Sequence, residues 1–173
     1  NQMWARYSDD HGVTWSAPDP RPELAWHAES EDVMVSVCDV TPGWHAPTKK
    51  LLAIGVKVRY REGVQLLEAP QSHAAAYTVH DPEANTWTPW RFVDMPDPAG
   101  KFHLTTPGCV QWLVEENGDV LVPIYFQAKG ATPYTAAVMR CGFDGRTLSY
   151  KEHGDELALD VERGFCEPSL AKF

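Results

Sequence analysis

The sequence predicts an all-β chain, on the basis of strand-like segments, frequent turn signals and little helical periodicity. Segments rich in Val and Ile either alternate or run apolar over strand lengths. Turn-forming pairs such as Glu62-Gly63, Asn117-Gly118 and Asp144-Gly145 separate them. The 14 prolines and 12 glycines fit many short strands joined by turns. The predicted strands lie in "ESEDVMVSVCDV", "KKLLAIGVKVRY", "AAAYTVHD", "CVQWLVEE", "DVLVPIYFQ" and "YTAAVMRCGFD".

A recurring unit of strand, Asp-led turn and Trp favours a β-propeller over a sandwich. The unit closes at Trp15 in "SDDHGVTW", at Trp87 in "YTVHDPEANTW" and at Leu148 in "VMRCGFDGRTL", where a Trp would be expected. The spacing between these closing positions exceeds the roughly 40 to 50 residues of common propeller repeats. It nevertheless suits four-stranded blades with long connecting loops. About three blades are expected, and a closed ring needs at least four. Residues 1–173 are therefore expected to form one incomplete propeller domain, with N- and C-terminal parts missing.

Composition excludes several classes of function. The formal net charge is −9 and the pI is near 5.1, without a basic stripe, so a nucleic-acid partner is not expected. No apolar run approaches the roughly 20 residues of a membrane span. The four cysteines are widely spaced and form no CxxC pair, which argues against a zinc site. Buried free thiols are favoured, and one or two disulfides are also compatible with the sequence.

The stretch "SDDHGVTW" predicts a turn that its own side chains hold. Asp10 is expected to accept hydrogen bonds from backbone N–H groups, with Ser8 in the same pattern. Gly12 supplies a positive φ. Thr14 suits the start of a returning strand, and Trp15 has a large face to bury. The residues of this turn are thus predicted to be structural and not catalytic.

Three segments in order resemble the sialidase family. "SDDHGVTW" is similar to an Asp-box, or BNR repeat, the turn motif of sialidases. "TPGCVQWLVEENGDVLVPIYF" resembles the sialidase segment with a Pro-Gly turn, a strand, a Gly turn and a further strand. "RGFCEPSL" is similar to the segment that carries the family's catalytic glutamate, with Glu167 at that position. The resemblance implies a six-bladed propeller in an exo-acting glycosidase that removes a terminal sugar, by default sialic acid.

The resemblance also implies a mechanism in which Glu167 serves as the base for a tyrosine nucleophile. A neutral phenol avoids repulsion by the substrate carboxylate, but its pKa near 10 requires a base as it attacks. The tyrosine, the three arginines and the acid/base aspartate of the family are expected outside residues 1–173. The chain alone is therefore expected to be inactive. No metal or organic cofactor is implied.

Four further residues are candidates for contact with a glycan or small sugar. "DVTPGWHAP" (39–47) predicts a Pro/Gly loop whose Trp44 and His45 either form a sugar platform or pack within the loop. His103 precedes the Pro-Gly turn and Gln111 follows it, which places both near a ligand if that turn lines the site.

Two alternatives to a sialidase stay open on the sequence. The first is another polysaccharide-active propeller, rhamnosidase- or lyase-like, in which His and Tyr carry out the acid–base chemistry. The second is a non-catalytic carbohydrate-binding propeller. An extracellular or periplasmic location is the default for such proteins, and the sequence leaves the oligomeric state open.

Overall fold

The computed structural model describes residues 3–68 and 71–173, in which fourteen strands and two short 3-10 helices form. The 3-10 helices are Pro22–Leu24 and Ala46–Thr48. The strands are β1 (Met3–Ala5), β2 (Asp19–Arg21), β3 (His27–Ala28), β4 (Val33–His45), β5 (Lys50–Arg61), β6 (Val64–Gln65), β7 (His73–Asp81), β8 (Thr86–Trp87), β9 (Arg91–Phe92), β10 (Leu104–Thr106), β11 (Leu113–Val114), β12 (Val120–Gln127), β13 (Thr135–Phe143) and β14 (Leu148–His153).

The predicted all-β class is confirmed, and the strands fall into two repeated units. β4, β5, β7 and β8 form one antiparallel series, and β10, β12, β13 and β14 form another. A parallel pairing between His73 and Leu104 joins the two series, so that twelve strands in the described residues make one continuous sheet. β1 and β2 form a separate antiparallel pair. Four-stranded antiparallel units are the building blocks of propeller blades.

In each predicted unit of strand, Asp-led turn and Trp, the turn connects two antiparallel strands. The Ser8–Trp15 stretch connects β1 to β2, Asp81 begins the turn from β7 to β8, and Asp144 begins the turn from β13 to β14. The Asp81 carboxylate accepts backbone N–H groups two and three residues ahead, and Asp144 does the same. This is the bonding by which Asp stabilises turns.

The prediction of a loop over residues 39–47 is wrong, because most of these residues belong to β4. The Thr41-Pro42-Gly43 sequence stays in the strand, which pairs with β5 on both sides of an irregularity between Cys38 and Thr41. A tertiary contact explains this. The Trp112 ring lies against Gly43, where a Cβ would collide with it, and the Trp112 Nε1–H donates to the Thr41 carbonyl at 3.0 Å.

The main hydrophobic core lies along the central strands of both units. Their side chains are almost fully removed from water, which provides the dominant stabilisation of the fold. This core fixes the position of β4 and of the segments after β10 and β14, which carry the candidate site. Its members include Leu52, Ile54, Tyr77, Val79, Val120, Val122, Ile124, Phe126, Ala137 and Met139.

Candidate functional site

The Ser8–Trp15 turn is held by its own side chains. The Asp10 carboxylate accepts the Thr14 N–H at 2.8 Å and the Thr14 hydroxyl at 2.6 Å, and Ser8 donates to it at 2.8 Å. The Gly12 N–H donates to the Ser8 hydroxyl, and Gly12 has φ +88°. The Trp15 indole donates to the Gly12 carbonyl but stays 56% exposed, so it folds over the turn instead of entering the core. Both carboxylate oxygens of Asp10 are thus engaged inside the turn.

These bonds predict a pH-dependent contribution of Asp10 to stability. Hydrogen bonds from Thr14 lower the pKa of Asp10 from 3.8 to about 2. Because the folded pKa is depressed, the stabilisation is complete above the unfolded pKa and is lost as the pH falls through about 2. We expect Asp10→Asn to lower the melting temperature at pH 7, and the difference from wild type to shrink between pH 4 and pH 2. Asp9→Asn, which removes the same charge without these bonds, should show no such convergence. A wild-type–Asp10→Asn difference that is constant with pH would contradict the assignment.

Glu167 lies in the segment that follows β14, and backbone bonds anchor that segment to Tyr134. The Tyr134 N–H donates to the Arg163 carbonyl at 3.0 Å, and the Phe165 N–H donates to the Tyr134 carbonyl at 3.1 Å. Gly164 sits between these bonds with φ +67°, and a Cβ there would collide with the Tyr134 backbone. A glycine is therefore required at position 164 for the Glu167 segment to lie this close to the Tyr134 backbone. Glu167 itself is exposed.

Three chain segments meet at this position. The Cys109 N–H donates to the Asp39 carbonyl at 3.4 Å, which joins the segment after β10 to β4. The Gln111 N–H donates to the Ser169 hydroxyl at 3.3 Å, and the Leu170 N–H donates to the Gln111 carbonyl at 3.2 Å. The segment after β10 thus lies between β4 on one side and the Glu167 segment on the other.

Each of these three segments carries an exposed non-glycine residue with a left-handed backbone. Asp39 has φ 53°, Cys109 has φ 56° and Glu167 has φ 50°. Such a conformation costs on the order of 1–3 kcal/mol per residue and is found preferentially at functional sites. We call Asp39, Cys109 and Glu167 the three-segment site.

The electrostatic interactions of the three-segment site link its members. The Asp39 carboxylate is the main cause of a raised pKa at Cys109, and Glu167 raises this pKa further. Burial raises the pKa of Tyr125, and the charges of Cys166 and Glu167 add to it. Two carboxylates therefore flank a thiol that is kept protonated. Such a site can accept hydrogen bonds from hydroxyl groups or take up a proton from a bound group.

The sequence analysis did not identify Asp39, Cys109 or Tyr125 as site residues. The predicted strand that ends at Val40 and the predicted loop that starts at Asp39 both include Asp39, and Cys109 falls in a predicted strand. Neither left-handed conformation has a local sequence signal. Tyr125 stood inside the recognised segment without a role of its own. The Pro-Gly turn before Cys109 was a usable signal, because Gly108 lies against Asp39, where a Cβ would be 2.8 Å from the Asp39 Cβ.

Two residues proposed as sugar ligands lie elsewhere on the strands. His45 is 1% exposed; its Nδ1 bonds the Thr48 hydroxyl at 2.8 Å and its Nε2 donates to the Gly118 carbonyl at 2.9 Å. A sugar-platform role for His45 does not fit this environment, since both ring nitrogens are engaged. Trp44 is about half exposed and lines the same surface pocket as Pro82, in the turn after β7. Both follow Asp39 by five or six residues along β4, or roughly 15–20 Å at the rise of a strand.

The other two proposed ligands differ in their relation to the three-segment site. Gln111 is exposed, and its backbone bonds the segment that carries Glu167. His103 is buried and bonds the Leu67 carbonyl through Nε2 at 2.8 Å. Gln111 therefore presents an exposed side chain at the junction, whereas one His103 nitrogen is hydrogen-bonded within the protein.

Residues 3–68 and 71–173 contain neither a metal-binding cluster nor a membrane-spanning helix. Within these ranges no group of three or more His, Cys, Asp or Glu side chains is arranged to hold a metal ion. No helix in the described part of the chain is long and apolar enough to cross a membrane.

Comparison with known proteins identifies the fold but no sequence family. No protein-family model matches the chain, and no curated protein sequence matches it. Among solved structures, the chain is similar to Hadza microbial sialidase Hz136, with a TM-score of 0.61 and 14% sequence identity. The match covers 94% of this chain and 34% of that one, so the chain spans about a third of the sialidase's length. The chain therefore has an all-β, sialidase-like fold that corresponds to part of a propeller.

Proposed function

We propose that this chain forms about three blades of a six-bladed sialidase-like propeller and contributes Glu167 to the active site of an exo-acting glycosidase. The observation that carries the proposal is the junction of three segments, each with an exposed left-handed residue, in a chain with this fold. The two exposed carboxylates at that junction can contact a ligand from solvent. Sialic acid is the substrate that the family resemblance suggests.

In this proposal Glu167 acts as the base for a tyrosine outside residues 1–173. As the phenol oxygen attacks the anomeric carbon, its proton passes to the Glu167 carboxylate and the glycosidic bond breaks. The leaving alcohol takes a proton from the acid/base aspartate that the family resemblance implies outside residues 1–173. A second attack by water then releases the sugar with retained configuration. Positioning and electrostatic stabilisation by the protein supply the rate, without a cofactor.

Asp39 and Tyr125 complete the proposed sugar contacts. The Asp39 carboxylate accepts hydrogen bonds from sugar hydroxyls beside Glu167. Tyr125 and Tyr134 are half-buried and form an edge-to-face pair with ring centroids 5.2 Å apart. Their rings offer an apolar surface for the CH groups of a sugar, a role we assigned to Trp44 and His45 from the sequence. The exposed Gln111 side chain, in the segment between β4 and Glu167, supplies an amide for a further hydroxyl.

We further propose that the Ser8–Trp15 turn is an Asp-box with a structural role. This proposal is supported by the hydrogen bonds that Asp10, Gly12 and Trp15 form within the turn. The turn led by Asp144 is a degenerate copy, since it has the Asp-bonded backbone but neither the Ser nor the Trp.

The decisive experiment is a substrate panel for the full-length protein. A fluorogenic α-sialoside should be hydrolysed, and proton NMR should show initial release of the α-anomer of the sugar. Hydrolysis or elimination of rhamnosides or uronides without sialoside turnover would favour the first alternative. Saturable binding of a glycan without turnover of any substrate would favour a binding protein and exclude the proposed activity.

A further inference from the structure

The β1–β2 pair has the position of the last two strands of a four-stranded unit. In the first unit the turn led by Asp81 joins the third strand, β7, to the fourth, β8, and in the second unit the Asp144 turn joins β13 to β14. The Ser8–Trp15 turn joins β1 to β2 in the same way. β7 and β13 each also pair with the second strand of their unit, β5 or β12. Within residues 3–68 and 71–173, β1 pairs only with β2, and its opposite edge carries no strand.

A cleft of about 370 Å³ runs along this edge of β1. Five consecutive residues, Met3–Tyr7, line it, whereas one face of a strand would contribute only every second residue. The backbone edge of β1, with its N–H and C=O groups, therefore borders the cleft. The facing wall is apolar and includes Val40, Leu51 and Trp90. We call this space the β1 cleft; a strand added at the edge of β1 would place alternate side chains against that wall.

Two buried donors that line the β1 cleft have no hydrogen-bond acceptor in the described part of the chain: the Arg21 Nε–H and the Trp87 indole N–H. The Arg21 side chain is 8% exposed, and its charge is already balanced, since its Nη2 lies 2.6 Å from the Asp19 carboxylate. A neutral acceptor therefore suits these donors better than a further anion. Because an unpaired buried donor costs free energy, the cleft favours an occupant that brings carbonyl oxygens, as a peptide does.

We propose that the β1 cleft binds an extended segment of the full-length protein from outside residues 1–173, which pairs with β1 as the second strand of its unit. The pairing is antiparallel, as it is between β5 and β7 and between β12 and β13. Apolar side chains of the added segment pack on the facing wall, and its carbonyl groups accept from Arg21 and Trp87. Strand addition to an exposed edge is a general mode of recognition, in which backbone hydrogen bonds provide affinity and side-chain pockets provide specificity. The inference rests on the propeller architecture proposed above and does not require glycosidase activity.

Site-specific photo-crosslinking of the full-length protein tests this pairing. Trp4 lies in β1, lines the cleft and is 59% exposed; it is replaced by the photoreactive residue p-benzoylphenylalanine, which inserts into nearby C–H bonds on irradiation. We expect peptide mass spectrometry to find one major cross-link, to a peptide outside residues 1–173 of the same molecule. Mixing isotope-labelled and unlabelled protein before irradiation distinguishes that product from a cross-link between two copies. Cross-links confined to residues 1–173, cross-links only between two copies, or none at all would overturn the proposal.

Position 44 provides the matched control for the cross-link. Trp44 is also an exposed tryptophan, but it lines a different surface pocket. The same photoreactive residue at this position should not capture the peptide that position 4 captures. Capture of that peptide from both positions would contradict a specific pairing with β1.

Hydrogen exchange in the unmodified full-length protein gives a second test, which does not depend on a substitution. In protein with isotope-labelled tryptophan, the Trp87 indole N–H should exchange with deuterium as slowly as that of Trp90, which donates to the Leu24 carbonyl at 3.1 Å. Exchange as fast as at the exposed Trp44 would mean that the cleft stays open, and would overturn the proposal. Sialoside hydrolysis is measured separately, so this proposal and the glycosidase proposal can fail independently.

Discussion

Replacing Glu167 by glutamine is expected to lower kcat/KM for the fluorogenic sialoside by about 10²- to 10⁴-fold, the usual contribution of a general base. Glutamine keeps the size and hydrogen-bonding reach of the side chain but cannot accept a proton. The effect should therefore appear in kcat more than in KM. The measurement is steady-state hydrolysis by the full-length protein, with a melting curve to show that the variant is folded.

Glu162→Gln is the control for that loss. Glu162 is exposed and lies in the same segment, five residues before Glu167 and outside the three-segment site. Its replacement removes one negative charge from the surface and should leave turnover within about twofold of wild type. If Glu167→Gln also turns over like wild type, Glu167 has no part in catalysis.

Replacing Trp112 by alanine is expected to destabilise the fold by about 3–5 kcal/mol, the usual cost for a buried Trp. The ring is 5% exposed and lies on Gly43, and its indole N–H bonds the Thr41 carbonyl. The variant loses a large buried surface and leaves that carbonyl without its partner. Urea unfolding followed by far-UV circular dichroism measures the difference in free energy of unfolding.

Trp44→Ala is the matched control for size and residue type. Trp44 is 52% exposed on the same strand as Thr41, so its removal should cost less than about 1 kcal/mol. If the two variants are equally unstable, the contact between Trp112 and β4 does not stabilise the fold as expected.

The strands and the Asp-led turns were predictable because their signals are local. Val- and Ile-rich segments specified β5, β7, β12 and β13 closely, and the structure confirms them. The turns at Asp81 and Asp144 follow from bonds between a carboxylate and N–H groups only two or three residues away. Contacts over so short a distance need no knowledge of the rest of the fold.

Residues 39–47 show where local signals fail. Pro and Gly favoured a loop, yet pairing with β5 and the ring of Trp112 keep the segment in a strand. His45 accordingly lies inside the protein, where Thr48 and Gly118 satisfy its nitrogens. A residue 69 positions further along the chain than Gly43 decides this conformation, so no reading of the segment itself could have found it.

The sequence by itself determined the all-β class, the turns and the position of Glu167 in a recognisable segment. Only the tertiary structure decided that Asp39 and Cys109 stand at the same junction as Glu167. Local hydrogen bonds and side-chain alternation are encoded by neighbouring residues. The meeting of the three segments that carry Asp39, Cys109 and Glu167 depends on how distant strands pair.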